Sequence, residues 1–214
     1  MFDKEKVILT DCDGVCLDWE FAFHTWMEAN GHKRETEVPN YSVCNQYNID
    51  KPSADRLVAQ FNSSAHMGFL PPLRDAQYYM KLIAEKLGYR FIAVTSLSAD
   101  VYAQQLRTQN LNKLFGDGTF VEYHYLPCGA DKDDILIKLA NKYDGAIWIE
   151  DKYINAEAGL DVGFDAILME HGHNLKYEGN AKIMRNWEEI YSYVERKEKD
   201  RNIQTRTRKF NKNI

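Results

Sequence analysis

Long hydrophobic runs are missing from this sequence. No apolar stretch approaches the roughly 18 residues that span a bilayer, so an integral membrane role is not expected. The first six residues, Met1-Phe2-Asp3-Lys4-Glu5-Lys6, are charged and carry no apolar signal region. Cysteine is scarce: Cys12, Cys16, Cys44 and Cys128 are the only four, and their spacing is not that of a paired metal finger. Without a secretory signal they read as reduced thiols, and the expected compartment is the cytoplasm. Positive charge is in deficit too, with a formal net charge of −5, so the whole chain does not present itself as a polyanion binder. What remains is ordinary globular composition, 44% hydrophobic and 28% charged over 214 residues, enough for one sizeable core and a small inserted lobe.

What is present begins with Val7-Ile8-Leu9, a short apolar run that reads as a buried strand. Asp11 and Asp13 follow it, then Gly14, where the backbone can turn sharply. In extended chain, residues two apart point the same way, so the two carboxylates would share one small space. Like charges that close repel unless a cation joins them or one is protonated. Taken alone, the stretch could also be an Asx-rich turn closing a strand.

The apolar periodicity then predicts a helix over residues 20–30 with Phe21, Phe23, Trp26 and Met27, and a second over 55–61 capped by Ser53. Residues 32–68 otherwise hold Pro39, Pro52 and several Asn and Ser, and read as a small, mostly helical insertion carrying Tyr41, Tyr47 and Phe61. Such aromatics serve as a mini-core or as a lid over a polar site. Beyond Pro71-Pro72, helices are expected over 74–87, 100–109, 132–143, 154–160 and 187–196. Strands are expected at 91–94, 119–125, 146–149 and 166–169. Alternating strands and helices imply right-handed crossovers and a parallel sheet covered on both faces, an α/β fold. Ligands of such sheets sit beyond the carboxyl ends of the strands.

Three strands end there in polar residues: Asp11 and Asp13, Thr95 and Ser96, Glu150 and Asp151. The four acids form a hard oxygen donor set suited to Mg²⁺ and a phosphate. Thr95 and Ser96 can donate hydrogen bonds to phosphate oxygens. A nearby cation is required, since one charge pair at about 4 Å is worth roughly 4 kcal/mol at an effective dielectric of 20. Lys132, at a helix start where anions are favoured, is the candidate; Lys138, deeper in that helix, is a weaker one.

These ordered motifs resemble the haloacid-dehalogenase-like (HAD) phosphohydrolase superfamily: Asp11-Cys12-Asp13-Gly14-Val15, Thr95 after an apolar strand, Lys132, then Glu150-Asp151 after another. Glu150-Asp151 with Ala156, Ala158, Gly159 and Gly163 is similar to the beta-phosphoglucomutase-like branch. Asp18, Glu20, Phe69-Leu70-Pro71 and Thr95-Ser96 resemble the deoxyribonucleotidase branch. Cys16, Leu17 and Trp19 depart from the usual choices after the first motif. The resemblance implies a HAD-like Rossmannoid core over residues 1–18 and 70–195, with a helical cap over 19–69. It makes Asp11 the nucleophile, Asp13 the general acid and base, and Thr95, Ser96 and Lys132 the phosphate holders. Mg²⁺ would lie on Asp11, Asp151 and the Asp13 carbonyl, with Glu150 in support. Dehalogenating members lack the second carboxylate, so Asp13 argues for phosphoryl chemistry.

The expected substrate is a small phosphorylated metabolite, a nucleoside monophosphate first. Residues 196–214 are basic and nearly free of apolar side chains, which reads as a solvated, flexible tail or as an arm for nucleic acid. Action on nucleic-acid ends and a non-catalytic HAD-like binding role are therefore the alternatives. His171-Gly172-His173 reads as a loop rather than a metal site. Cys12 and Cys16 read as small fillers, Cys12 close enough to Asp11 to suggest oxidation sensitivity. Asp18 and Glu20 suit a helix N-terminus.

Overall fold

The structure, a computed structural model, describes residues 2–36 and 41–211, with side chains described as far as residue 203. Six strands form one sheet in the order β3-β2-β1-β4-β5-β6. They are β1 (Val7–Thr10), β2 (Arg90–Ser96), β3 (Phe120–Leu126), β4 (Ile147–Glu150), β5 (Asp165–Met169) and β6 (Lys182–Met184). Every neighbouring pair is parallel. β1 is fully buried, as its unbroken apolar run requires of a strand covered on both faces. Its side chains alternate between two cores: Ile8 joins Phe91, Ile147 and Trp187 on one face, while Val7 and Leu9 join Ile92, Trp148 and Leu136 on the other. The strand order reverses between β1 and β4, which places the ligand crevice of such a sheet at their carboxyl ends.

Between β1 and β2, the described residues form helices and two isolated bridges at Leu17: the helical elements are α1 (Trp19–Ala29), α2 (Val43–Tyr47), α3 (Lys51–Asn62), a 3₁₀ turn at Ala65–Gly68 and α4 (Ala76–Lys86). Asp18 caps α1, accepting the Phe21 N–H at 3.1 Å. Among the described residues the insertion has no core of its own. Phe23, Trp26, Tyr47 and Phe61 belong to the same buried cluster as Ile8 and Phe91, so its aromatics fasten it to one face of the sheet. Pro39 of the expected insertion lies outside the described residues.

After β2, the chain continues through α5 (Val101–Phe115), α6 (Asp133–Ala140), α7 (Tyr153–Asp161) and α8 (Trp187–Asn211). Gly159 lets α7 lie directly on β4; a Cβ there would sit 2.2 Å from the Trp148 ring.

Several elements differ from the sequence reading. α3 starts at Lys51, capped by Asp50 rather than Ser53. α5 runs on to Phe115, six residues past the expected end. β6 is short, with two of its three residues exposed, and gives no periodic signal. α8 continues past the expected helix end at Arg196 as far as Asn211, where no Gly or Pro interrupts it. The side chains of its basic part from 204 onward, and all of 212–214, lie outside the described residues. No helix among the described residues is long and apolar enough to cross a membrane.

Candidate active site

Asp11 follows β1 directly, its N–H donating to the Ile149 carbonyl of β4 at 2.9 Å, so the sheet ladder itself sets its height. The loop beyond is tight: the Cys16 and Leu17 N–H groups both return to the Cys12 carbonyl, and Gly14 donates to Leu17. Gly14 has φ +73°, and a Cβ there would lie 2.5 Å from an Asp151 carboxylate oxygen. The absence of that atom lets the tip of β4 close on the tip of β1. Asp11, Glu150 and Asp151 consequently bring carboxylate oxygens within 4.8 Å of one another, all three buried.

Lys132, 2% exposed at the start of α6, reaches into this group, with Nζ 3.1 Å from Asp11 Oδ1 and 2.7 Å from Glu150 Oε2. Burial alone would lower the ammonium pKa; the two carboxylates outweigh it and raise the pKa, keeping the lysine charged. Glu150 is doubly engaged, its other oxygen accepting the Lys152 N–H at 3.2 Å. Asp151 has no such cation among the described residues. His173 Nε2 is 3.6 Å from its carboxylate, but burial pushes the His173 pKa down, toward the neutral ring. Burial, and then the charges of Glu150 and Asp11, drive the Asp151 carboxyl well above the usual range.

Thr95 lies at the end of β2, fully buried, with no hydrogen-bond partner for its hydroxyl. An orphaned buried hydroxyl beside these strand tips suits an absent acceptor such as a phosphate oxygen. Ser96, expected to do the same, donates instead to the Ala130 carbonyl at 3.2 Å and braces the loop carrying Lys132. Lys138 lies in the last turn of α6, away from the cluster's contacts.

Residues the sequence reading did not select complete the surroundings. Arg107, from the middle of α5, is fully buried with Nη1 2.7 Å from Asp13 Oδ1. Burial raises the Asp13 carboxyl to about 6, and Arg107 opposes that rise. The His171-Gly172-His173 loop joins the site wall. His171 Nε2 is 2.6 Å from the Gly14 carbonyl, and Arg74 Nη2 is 3.4 Å from its Nδ1. A ring that donates from Nε2 and accepts at Nδ1 is neutral, in keeping with burial lowering its pKa to about 4. Asn174 donates to the Asp151 carbonyl at 2.9 Å. Cys12 and Cys16 are both buried, and burial pushes the Cys12 thiol up to about 12, away from the thiolate that oxidation requires.

A cavity of about 690 Å³ opens over the strand tips, lined by Asp11, Asp13, Lys132 and Asp151 below and by Trp19, Phe23, Tyr41 and Asn62 of the insertion above. The donor set fits a hard divalent cation. Four carboxylates face two buried cations, Asp151 lacks a counter-charge among the described residues, and Gly14 leaves the approach to it clear.

No protein-family model matches the sequence. Among solved structures the chain is similar to a haloacid-dehalogenase-like hydrolase of Streptococcus pneumoniae, with TM-score 0.61 and 14% identity, covering 89% of this chain and 98% of that one. It is also similar to the D,D-heptose 1,7-bisphosphate phosphatase of B. bronchiseptica, complexed with magnesium and phosphate, with TM-score 0.56, 11% identity and 90% and 99% coverage. The L-2-haloacid dehalogenase of Xanthobacter autotrophicus gives TM-score 0.56 at 8% identity, over 91% and 99%. The chain thus has the haloacid-dehalogenase-like fold. In sequence it is similar to an uncharacterised 32.4 kDa protein of phage T4 from the Gp30-rIII intergenic region. The two are 29% identical over 153 residues, which is 69% of this chain and 54% of that protein, so the chain spans about half the length of the curated relative it matches.

Proposed function

We propose that this chain is a Mg²⁺-dependent phosphatase acting on a small phosphate monoester. The observation that carries the reading is the meeting of Asp11, Glu150 and Asp151 at the carboxyl ends of β1 and β4, with Lys132 paired to the first two. Asp11, Asp151 and the Asp13 carbonyl would hold Mg²⁺, with Glu150 fixing Lys132 beside them. When bound, the ion supplies positive charge for the phosphate oxygens.

The residues then divide the work. Lys132 and the free Thr95 hydroxyl hold the phosphoryl group. An Asp11 carboxylate oxygen attacks phosphorus as the ester oxygen leaves, and Asp13 gives that oxygen its proton. Asp13 next takes a proton from the water that hydrolyses the aspartyl-phosphate. The second carboxylate favours this chemistry over dehalogenation, although the fold is compatible with both. A cavity walled by the insertion favours a small ester over a polymer end, and Trp19, Phe23 and Tyr41 around it suit a nucleoside monophosphate. Four free thiols suit a reducing cytoplasm.

Hydrolysis of 4-nitrophenyl phosphate with and without Mg²⁺, wild type against Asp11→Asn, tests the reading. Turnover only by wild type, and only with Mg²⁺, is expected. Equal activity of the two proteins rejects it. Absence of turnover across a panel of nucleotides and sugar phosphates leaves a non-catalytic binding role.

A further inference from the structure

Arg107 is a costly residue in its position. It is fully buried in α5, where its Nε and Nη1 have no hydrogen-bond partner. Its Nη2 lies 3.1 Å from Met67 Sδ in the 3₁₀ turn of the insertion, and 3.4 Å from Asp13 Oδ2. Nη1 approaches Asp13 Oδ1 at 2.7 Å, in an orientation that makes no hydrogen bond. A guanidinium that served the fold would have its donors occupied, and an apolar side chain of similar volume would serve packing as well. Among the described residues, its one charged partner is Asp13, which lines the cavity while Arg107 stands behind it.

We infer that Arg107 is a positioning residue that holds the Asp13 carboxylate toward the ester oxygen and then toward the hydrolytic water. The inference rests on the phosphatase reading. One carboxylate must serve two successive proton transfers from one place, and a carboxylate at the end of a short side chain rotates freely unless something holds it. Arg107 sits where it can do so without entering the cavity. Its contact with Met67 also ties that orientation to the seating of the insertion.

The test compares two esters with different need of a proton. Phenyl phosphate expels a poor leaving group that depends on Asp13; 4-nitrophenyl phosphate expels a good one that does not. Arg107→Met should lower kcat/KM about a hundredfold on phenyl phosphate and less than about tenfold on 4-nitrophenyl phosphate. Arg107→Lys should recover part of the loss on phenyl phosphate. Adding Arg107→Met to Asp13→Asn should cost nothing further. A general packing defect would instead lower both esters by the same factor, and that result overturns the role. So does a full additional loss in the double variant. If Arg107→Met fails to fold, Arg107→Lys decides by the same ratio: an equal fall on both esters overturns the role, and a larger fall on phenyl phosphate supports it. Wild type inactive on both esters with Mg²⁺ removes the phosphatase reading itself, and this role with it. Wild type active on both with an unselective Arg107→Met removes only the role.

Discussion

Asp151, at the carboxyl end of β4, and Asp165, at the amino end of β5, are both largely buried carboxylates on adjacent strands, and their surroundings differ in kind. Asp165 accepts from Lys182 Nζ at 2.6 Å, from the Tyr193 hydroxyl at 2.6 Å, and from Lys197 Nζ. Burial would raise its pKa, but these donors outweigh burial and hold the carboxyl below its ordinary range. Asp151 meets Glu150 and Asp11 instead, and is driven the other way. One end of the sheet is electrostatically complete; the other is short of positive charge. Local completeness is what a scaffold favours, and a deficit confined to one crevice marks the place where a ligand belongs.

The largest effect should come from deepening that deficit. Lys132→Met leaves Asp11 and Glu150 buried without their shared cation. Breaking a buried pair this way costs about 3–5 kcal/mol of stability, and under the proposed function the loss of the charge assigned to the phosphoryl group should lower kcat by roughly 10³-fold. Denaturant melts and steady-state kinetics on 4-nitrophenyl phosphate measure the two losses. A variant as stable and active as wild type would show that the cluster is not under the strain described.

Filling the deficit should do the reverse. At a Mg²⁺ concentration of a hundred times Kd, binding stabilises by about 2.7 kcal/mol, which for a chain of this size is a rise in Tm of about 5–10 °C. In Gly14→Ala that rise should largely disappear, because the new Cβ falls on the Asp151 carboxylate, and the positive φ costs about 1–2 kcal/mol besides. Thermal melts with and without Mg²⁺ read both effects. An undiminished Mg²⁺ shift in the variant would mean that the ion does not need Asp151.

The crevice was readable from sequence because strand tips are: a short apolar run followed by polar residues fixes where side chains emerge, and Asp11, Thr95, Glu150 and Asp151 all follow such runs. Lys132 could be placed by the helix it opens. Arg107 could not be placed by its charge, since a charged residue in mid-helix ordinarily faces water. Its signal was its spacing, between Ala103 and Leu111 on the buried face of α5. His171 and His173 carried no local signal, because the approach of the loop after β5 to Gly14 and Asp151 is set by the order of the strands in the sheet and not by neighbours in sequence. The last helix was expected to end at Arg196 because apolar periodicity ends there, while backbone preference for helix does not.

The smallest effect belongs to the complete end. Asp165→Asn removes a carboxylate whose lysine partners are partly exposed, at 47% and 39%, so solvent screening limits the loss to about 1 kcal/mol near neutrality. Its pH dependence has a definite sign. A carboxyl held below its ordinary pKa stabilises the fold while ionised, in full above the unfolded value of about 3.9. That contribution fades as the pH falls below this value and through the lower folded pKa. Wild type and Asp165→Asn should therefore differ in urea melts near neutrality and converge in acid, with kcat unchanged throughout. A stability difference that persisted at acidic pH would mean that Asp165 acts through its shape rather than its charge, and the contrast between the two ends of the sheet would lose its electrostatic basis.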